Sequence, residues 1–392
     1  MPLITWVLLC VAGGLVTGYS MPWQLAAGTC GALAWLAVAD LIEPRCVIYF
    51  VAACAIAVAG GKPGRSPGRA KLVASSGSTL DERLRTRAGA AIDSAFGDDA
   101  PIARALLVAD QSEIPRDLKR MYADAGIVHM LAISGLHVSI VATSLGLLMS
   151  VLRIPNRTAS LLIAAIIIAY VFILGFPAPA LRAGVMVCVG TATRVYQRHA
   201  SRWSILALGG LVPLAEPETV TEAGYQLSMV GMAGVIAAGA LSRKSTVAVG
   251  RSWIAALVRS LIVSSVASLA TAPLVAAWFG RLSLIGPLTN LFADPVIALV
   301  QPILFLSLVL SPWPAVSRFV ATAAHPLLVT FQEIAHRAAS VPHAAIAVTL
   351  SPVSVIFFSA AAASLIIACT SRLPARALII CAGSVAVGIL SV

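Results

Sequence analysis

The chain has 392 residues, of which 59% are hydrophobic and only 11% charged. A soluble domain carries roughly 25% charged residues, so these side chains cannot cover a water-facing surface of this size, and a soluble enzyme is excluded. The net charge of +11, from 27 basic and 16 acidic side chains, admits anionic lipid, a polyanionic substrate or the cytoplasmic loops of a membrane protein, the last being the plainest source.

Apolar stretches of spanning length recur near 3–20, 22–39, 46–60, 127–152, 158–175, 179–193, 203–214, 225–241, 253–279, 284–310, 345–370 and 376–391. A helix of about 20 apolar residues crosses the hydrocarbon with its backbone bonded internally. The pattern predicts an all-α, polytopic transmembrane helical bundle of about ten to thirteen spans, some broken or re-entrant, with a small extracytoplasmic helical layer. Residues 1–60 form an N-terminal region of about three spans. Met1 to Tyr19 has no basic leader and is expected to be a retained span rather than a signal peptide.

Residues 61–126 are the only long polar stretch. They open with the basic linker Gly61-Lys62-Pro63-Gly64-Arg65-Ser66-Pro67-Gly68-Arg69, too rich in Gly and Pro for regular structure. Thr79 and Glu82 make a capping box. The helix after it places Leu80, Leu84, Ala88, Ile92 and Phe96 at four-residue spacing and is expected to stop near Gly97. Pro101 and Pro115 suit the first turns of two further short helices.

Short-loop charges set an orientation. Arg153 and Arg157, then Arg194, Arg198 and Arg202, then Arg243, Lys244 and Arg251 follow successive spans, and the intervening loop carries Glu216, Glu218 and Glu222. Basic loops stay cytoplasmic. Counting back places residues 61–126 outside and the N-terminus in the cytoplasm; Arg372 and Arg376 then face in.

Residues 127–392 hold the groups that could carry chemistry. The run Gly126-Ile127-Val128-His129-Met130-Leu131-Ala132-Ile133-Ser134-Gly135-Leu136-His137-Val138 sets polar side chains at the start of a span. Groups of this kind inside hydrocarbon cost several kcal/mol and face a cavity or a partner. On one continuous helix, with His129 as zero, His137 lies at about 80° and Ser134 at about 140°. The three would share a sector with Ser144, as either a polar passage or an interhelical hydrogen-bond seam. Further polar positions are Arg182, which could also be a snorkelling anchor, and Gln226 with Ser228. Asn290 and Asp294 precede Pro295 and are expected at a helix break; Gln226 and Asn290 could equally be helix–helix glue.

Between 316 and 339, Arg318, Thr322, His325, Gln332 and His336 fall on one side of a helix. Such a helix either lies in the membrane interface with that side wet or lines a polar passage.

Cys10, Cys30, Cys46, Cys54, Cys188, Cys369 and Cys381 all lie in or beside apolar segments without a C-x-x-C pair. They read as small buried hydrophobes, and no metal site is expected. The sequence has no G-x-x-x-x-G-K-[ST] loop and no H-E-x-x-H; Glu333 and His336 make only a lone E-x-x-H. Neither an intrinsic ATPase nor a cofactor is expected. Ser134 with His137 suggests a nucleophile and base, but three-residue helical spacing does not aim one at the other.

The run Ala125 through Val138 resembles the A-G-x-x-H-L-L-A-I-S-G-L-H-V signature of the ComEC family of DNA-internalisation competence proteins. Weaker likenesses follow in the family's order. Leu106 through Ile114 is similar to its G-D-x-S-x-I segment with Ala109 in place of glycine, Leu181-Arg182-Ala183 to its R-A motif, and Gly224 to Ser228 to its G-[FY]-Q-L-S. Trp278-Phe279-Gly280 through Asn290, with Asp294-Pro295, is similar to its F-G-x-x-S…N-x-x-x-x-P pair. The likeness covers roughly residues 103–370, although the family's OB-fold and its metallo-β-lactamase-like domain are expected to be absent.

The resemblance implies an inner-membrane channel for single-stranded DNA in natural transformation, without nuclease or ATPase of its own. His129, Ser134, Gly135, His137, Arg182, Gln226, Ser228, Asn290 and Asp294 are then the candidates for lining or shaping the path, with Arg182 on a phosphate. The implied partners are single-stranded DNA, the lipid bilayer, a cytoplasmic helicase-type motor, a separate DNA receptor and a separate nuclease; a homo-oligomer is left open. The rival classes are an intramembrane Ser/His hydrolase, a transporter of small or lipid-linked molecules, and a non-transporting scaffold.

Overall fold

The computed structural model describes residues 80–197, 200–245, 253–370 and 381–387, with isolated positions between 8 and 15. The expected spans at 22–39 and 46–60, most of 3–20 and 376–391, the 61–78 linker, Thr79 of the capping box, and Cys10, Cys30, Cys46 and Cys54 lie outside the described residues. The described chain is helical apart from two short strands. In order come α1 (Leu80–Phe96), a 3-10 turn (Gly97–Asp99), α2 (Ala100–Val108), α3 (Arg116–Asp124), α4 (Val128–Leu131), α5 (Gly135–Val151), α6 (Asn156–Ile173), α7 (Ala178–Val195) and α8 (Arg202–Leu211). Two 3-10 turns (Val212–Ala215 and Pro217–Thr221) lead into α9 (Ala223–Ser245), α10 (Trp253–Phe279), β1 (Arg281–Ser283), α11 (Gly286–Val309), α12 (Pro314–Ala339), β2 (Ala345–Ala347) and α13 (Pro352–Thr370).

Five described helices are long and apolar enough to cross a membrane: α6, α9 over Ala223–Arg243, α10, α11 and α13 over Val353–Thr370. The chain is a multi-pass, all-α membrane protein. Two of the expected spans differ for identifiable reasons. The segment at 179–193 carries Arg182 inside it, and that at 203–214 is a ten-residue helix that tightens into a 3-10 turn.

The described residues fall into two compact units, Asn156–Gln226 belonging to one and Leu84–Pro155 with the chain from Leu227 onward to the other. In the first, α7 packs on α6 and α8. Small residues let the backbones close: a Cβ at Gly184 would sit 3.1 Å from Val171, and one at Gly209 would sit 3.0 Å from Arg182 and Met186. Such contacts substitute for a hydrophobic driving force that lipid does not provide.

The second unit is built around α11 and α12, which form a tight antiparallel hairpin. One core joins Ala293, Ile297, Val300 and Leu304 of α11 to Ala321, Ala324, Leu328, Phe331 and Ala335 of α12. Into it also pack Ile92 and Phe96 of α1, most of α2, and Tyr122 of α3, whose ring stacks on Phe331 with centroids 5.3 Å apart. The amphipathic helices 80–124 therefore lie along the hairpin and share its core.

Sequence reading predicted a break at Asn290 and Asp294 before Pro295, and the structure corrects it: α11 runs unbroken through Pro295 and Pro302. Each proline removes one backbone bond, but the fully buried Ala293, Ile297, Val300 and Leu304 hold the helix on course. A second correction concerns 127–152. The chain leaves the helix after Leu131, and Ala132 and Ser134 are extended (φ −92°, ψ 139° and φ −104°, ψ 169°). The sector drawn through His129, Ser134 and His137 on one continuous helix therefore does not exist.

Candidate functional site

The α4–α5 break is where candidate residues meet. Ser134 is the N-cap of α5, and its hydroxyl accepts the Leu136 N–H at 3.2 Å. His137 fills the position that Glu or Gln takes in a capping box, and the Ser134 N–H donates to its Nδ1 at 3.2 Å. The Ser134 Oγ stands 3.0 Å from the same nitrogen. An N–H can only donate, so Nδ1 carries the lone pair and the ring proton sits on Nε2. That Nε2 is buried without a hydrogen-bond partner among the described residues, and His137 is wholly buried. Gly135, the first residue of α5, is buried beside it, while His129 on α4 is exposed.

The break is held from two sides. Gln111 Nε2 donates to the Leu131 carbonyl at 3.1 Å, satisfying an acceptor freed where α4 ends. Just upstream, the Ser283 hydroxyl of β1 donates to the Asp124 carbonyl at 2.9 Å, and Arg281 Nη2 lies 2.6 Å from the Asp124 carboxylate. Gly126, at φ 80°, then passes so close to the start of α11 that a Cβ there would come within 2.5 Å of Gly286 Cα and 2.7 Å of Ser283 Oγ. Gly126 of the first signature piece and Ser283 of the last thus meet at one junction, where the Asp124–Ser283 bond joins residues 159 apart in the chain.

A second cluster organises the segment before α3. Arg104 bonds Asp93 of α1 through Nε at 2.6 Å and again through Nη2, while its Nη1 reaches Asp110 at 3.3 Å and Glu113 at 3.4 Å. The Asp93 hydrogen bond, opposed by desolvation, is the main reason that the guanidinium is held even more firmly protonated than usual. Asp110 also accepts from the Ser112 N–H at 3.0 Å and hydroxyl at 2.7 Å. Burial pushes its carboxyl up, but these bonds from Ser112 and the Arg104 contact outweigh it and hold Asp110 below the usual carboxylate range. With Arg85, whose Nη2 donates to the Val108 carbonyl at 2.9 Å, the cluster borders a cavity of about 220 Å³. Sequence reading did not single out Arg104; only its four-residue-spaced apolar neighbours were legible.

On α11, Asn290 Nδ2 donates to Ser264 Oγ of α10 at 2.9 Å, an interhelical bond, and its Oδ1 is buried without a partner among the described residues. Asp294 follows one turn later, half-buried. Gln301, which sequence reading passed over, is fully buried and donates to the Leu106 carbonyl of α2 at 3.1 Å. Ser228 is half-buried in α9.

Arg182 and Gln226 belong to the other unit. Arg182 is buried, and its Nη1 approaches the Met186 sulfur at 3.8 Å; Tyr225 donates its hydroxyl to the Gly210 carbonyl at 3.0 Å. A snorkelling anchor would reach the surface, which this side chain does not. Gln226 Nε2 donates to the Val220 carbonyl at 3.0 Å, a bond that closes its own helix entry.

No group of three or more His, Cys, Asp or Glu side chains placed to hold a metal ion occurs among the described residues. The sequence model of the Competence protein family matches residues 106–373, which takes in the whole α4–α5 junction and every candidate residue. The chain belongs to the ComEC family of competence proteins. A related protein is ComE operon protein 3 of Bacillus subtilis (strain 168), 29% identical over 199 residues, which make up 50% of this chain but 25% of the relative. No solved structure matches.

Proposed function

We propose that this ComEC-family chain is the channel that carries single-stranded DNA across the bacterial inner membrane in natural transformation. The family match across residues 106–373 of a multi-pass bundle is the observation that carries the reading. The α4–α5 break supports it: non-helical backbone at membrane depth is tolerated where it borders protein or water, and here it comes with a buried imidazole whose Nε2–H has no protein acceptor among the described residues. His129, Ser134, Gly135, His137, Ser228, Asn290 and Asp294, which all belong to one unit, line or shape the route. The N-terminus is cytoplasmic, and a separate helicase-type motor, receptor and nuclease supply pull, capture and single strands.

Uptake of end-labelled DNA in a deletion strain complemented with the chain tests this. Restored entry of label into the cytoplasm is expected; entry that is the same with and without the chain would remove the reading. A second reading, an intramembrane Ser/His hydrolase, is favoured by the 3.0 Å contact between Ser134 Oγ and His137 Nδ1. Ser134→Asn separates the two, because Asn caps a helix as well as Ser does but offers no nucleophile. Uptake preserved in Ser134→Asn and no labelling of wild-type Ser134 by a serine-directed probe dismiss the hydrolase.

A further inference from the structure

α10 carries an exposed tryptophan at each end, Trp253 and Trp278, about 38 Å apart at 1.5 Å per residue. Tryptophan favours the two membrane–water interfaces, so the middle of α10, where Ser264 stands, lies deep in the bilayer. After Trp278 the chain turns at Gly280 and runs back along α10 through β1, which pairs with β2 from Arg281↔Ala347 to Ser283↔Ala345. α11 therefore starts below the end of α10, and its Asn290 meets Ser264, Nδ2 donating to Oγ at 2.9 Å. Asp294 follows one turn later on the same face, since side chains four apart on a helix have Cβ atoms about 5–6 Å from each other.

Oxygen atoms with capacity to accept lie on or beside this turn. The Asn290 Oδ1 is buried and accepts nothing among the described residues. The Asp294 carboxyl makes no hydrogen bond or ion pair among them, and the residue is half-buried, so it stays reachable. Pro295 has no N–H to give the Leu291 carbonyl, four residues before it, and that oxygen loses its helical bond. Ser264 Oγ, which accepts from Asn290, keeps a second lone pair. Cationic side chains do not fill the gap. Of the helices packed on α11, α10 carries one charged side chain, Arg259, whose Nε donates to the Ala255 carbonyl at 3.2 Å. α5 carries only His137, and α2 only Arg104, which is held by Asp93, Asp110 and Glu113. On α12, Arg318, His325, Glu333, His336 and Arg337 are all exposed, with His325 on Asp99 and Glu333 on Arg337.

We propose that Ser264, Asn290, the Leu291 carbonyl and Asp294 form a binding site for one small monovalent cation, sodium or the proton, deep in the bilayer between α10 and α11. A bare carboxylate beside hydrocarbon is strongly unfavourable, and oxygen ligands from carboxylate, amide, hydroxyl and freed backbone carbonyl suit small hard cations. One carboxylate balances one positive charge, whereas a divalent ion would leave a net charge in the same place. The site needs no DNA strand and does not depend on the channel reading.

A hydrophobic carbodiimide tests this on the full chain in native membrane vesicles, because it enters the bilayer and modifies a carboxyl only in the protonated form. Asp294 is expected to be modified, read by mass spectrometry of its peptide, at a rate that falls about tenfold per pH unit once the charged form dominates. Sodium in place of choline at constant pH and ionic strength slows the modification if sodium is the ligand; a rate set by pH alone assigns the site to the proton. Asp294 unmodified at every pH, or modified no faster than the exposed Asp98, overturns the site. Asn290→Ala removes one oxygen and leaves the carboxyl, so the half-point in sodium or in pH should move by about tenfold. Ser264→Ala gives the same readout if Asn290→Ala is lost from the membrane. An unmoved half-point in a variant of normal abundance overturns the shared oxygen cage.

Discussion

Ala109 sits at φ 58°, ψ 21°, in the left-handed region, where α2 ends and the Asp110 turn begins. A side chain there strains the backbone, and glycine does not. Ala109→Gly is expected to raise stability by about 0.5–1 kcal/mol, read as a higher thermal midpoint of the purified chain in detergent. Gly126 gives the opposite case. Its φ of 80° and the 2.5 Å that a Cβ would leave to Gly286 combine strain with a backbone clash that no rotamer relieves. Gly126→Ala should cost about 3 kcal/mol or more, seen as loss of the chain from membranes at unchanged message level. Neither cost could be read from the local sequence in full. Ala109 was marked by its place in the signature, but the pairing of Gly126 with Gly286 depends on residues 160 positions apart that only the fold brings together.

At the scale of the elements, Arg104 joins α1 to the turn that carries Asp110 and Glu113. Asp110 is held below its ordinary pKa in the fold. Its contribution is therefore complete above the unfolded value of about 3.9 and is lost as pH falls through the lower, folded value. The thermal midpoint of the wild type should drop over that acidic window, and Asp110→Asn should flatten that part of the profile and lower the plateau above it. Much of the element pattern was legible: the helix at Leu80–Phe96 ends at Gly97, as its four-residue apolar spacing predicts, and the long apolar runs become α6, α9, α10, α11 and α13. What failed has physical causes. The α5 N-terminus was disguised because histidine, not Glu or Gln, completes its capping box. Pro295 was overrated as a breaker because burial of the residues around it outweighs one lost bond.

In the molecule as a whole, stability should be graded. The core shared by α2, α11, α12 and Tyr122 is the most densely buried part of the described chain, whereas the α9–α10–α13 contact rests on Ala237, Ala238, Val266 and Cys369. Amide hydrogen exchange should be slowest in α2 and the middle of α11 and α12, and faster in α9 and α13; equal protection throughout would contradict this ordering. Composition foretold a bundle of apolar helices. It could not foretell that an amphipathic segment, 80–124, packs along the flank of a spanning hairpin, because amphipathicity reports a wet side without reporting depth.

The pairing of β1 with β2 has a mechanical consequence. Arg281, where the chain leaves α10, is the partner of Ala347, just before α13, so tension between those two helices loads the pair at its open end. Its bonds then yield one after another, as a zipper does, instead of all at once in shear. The α11–α12 hairpin is thereby shielded: a pull on its neighbours opens the small clasp first, at low force, and only afterwards reaches the helices it encloses.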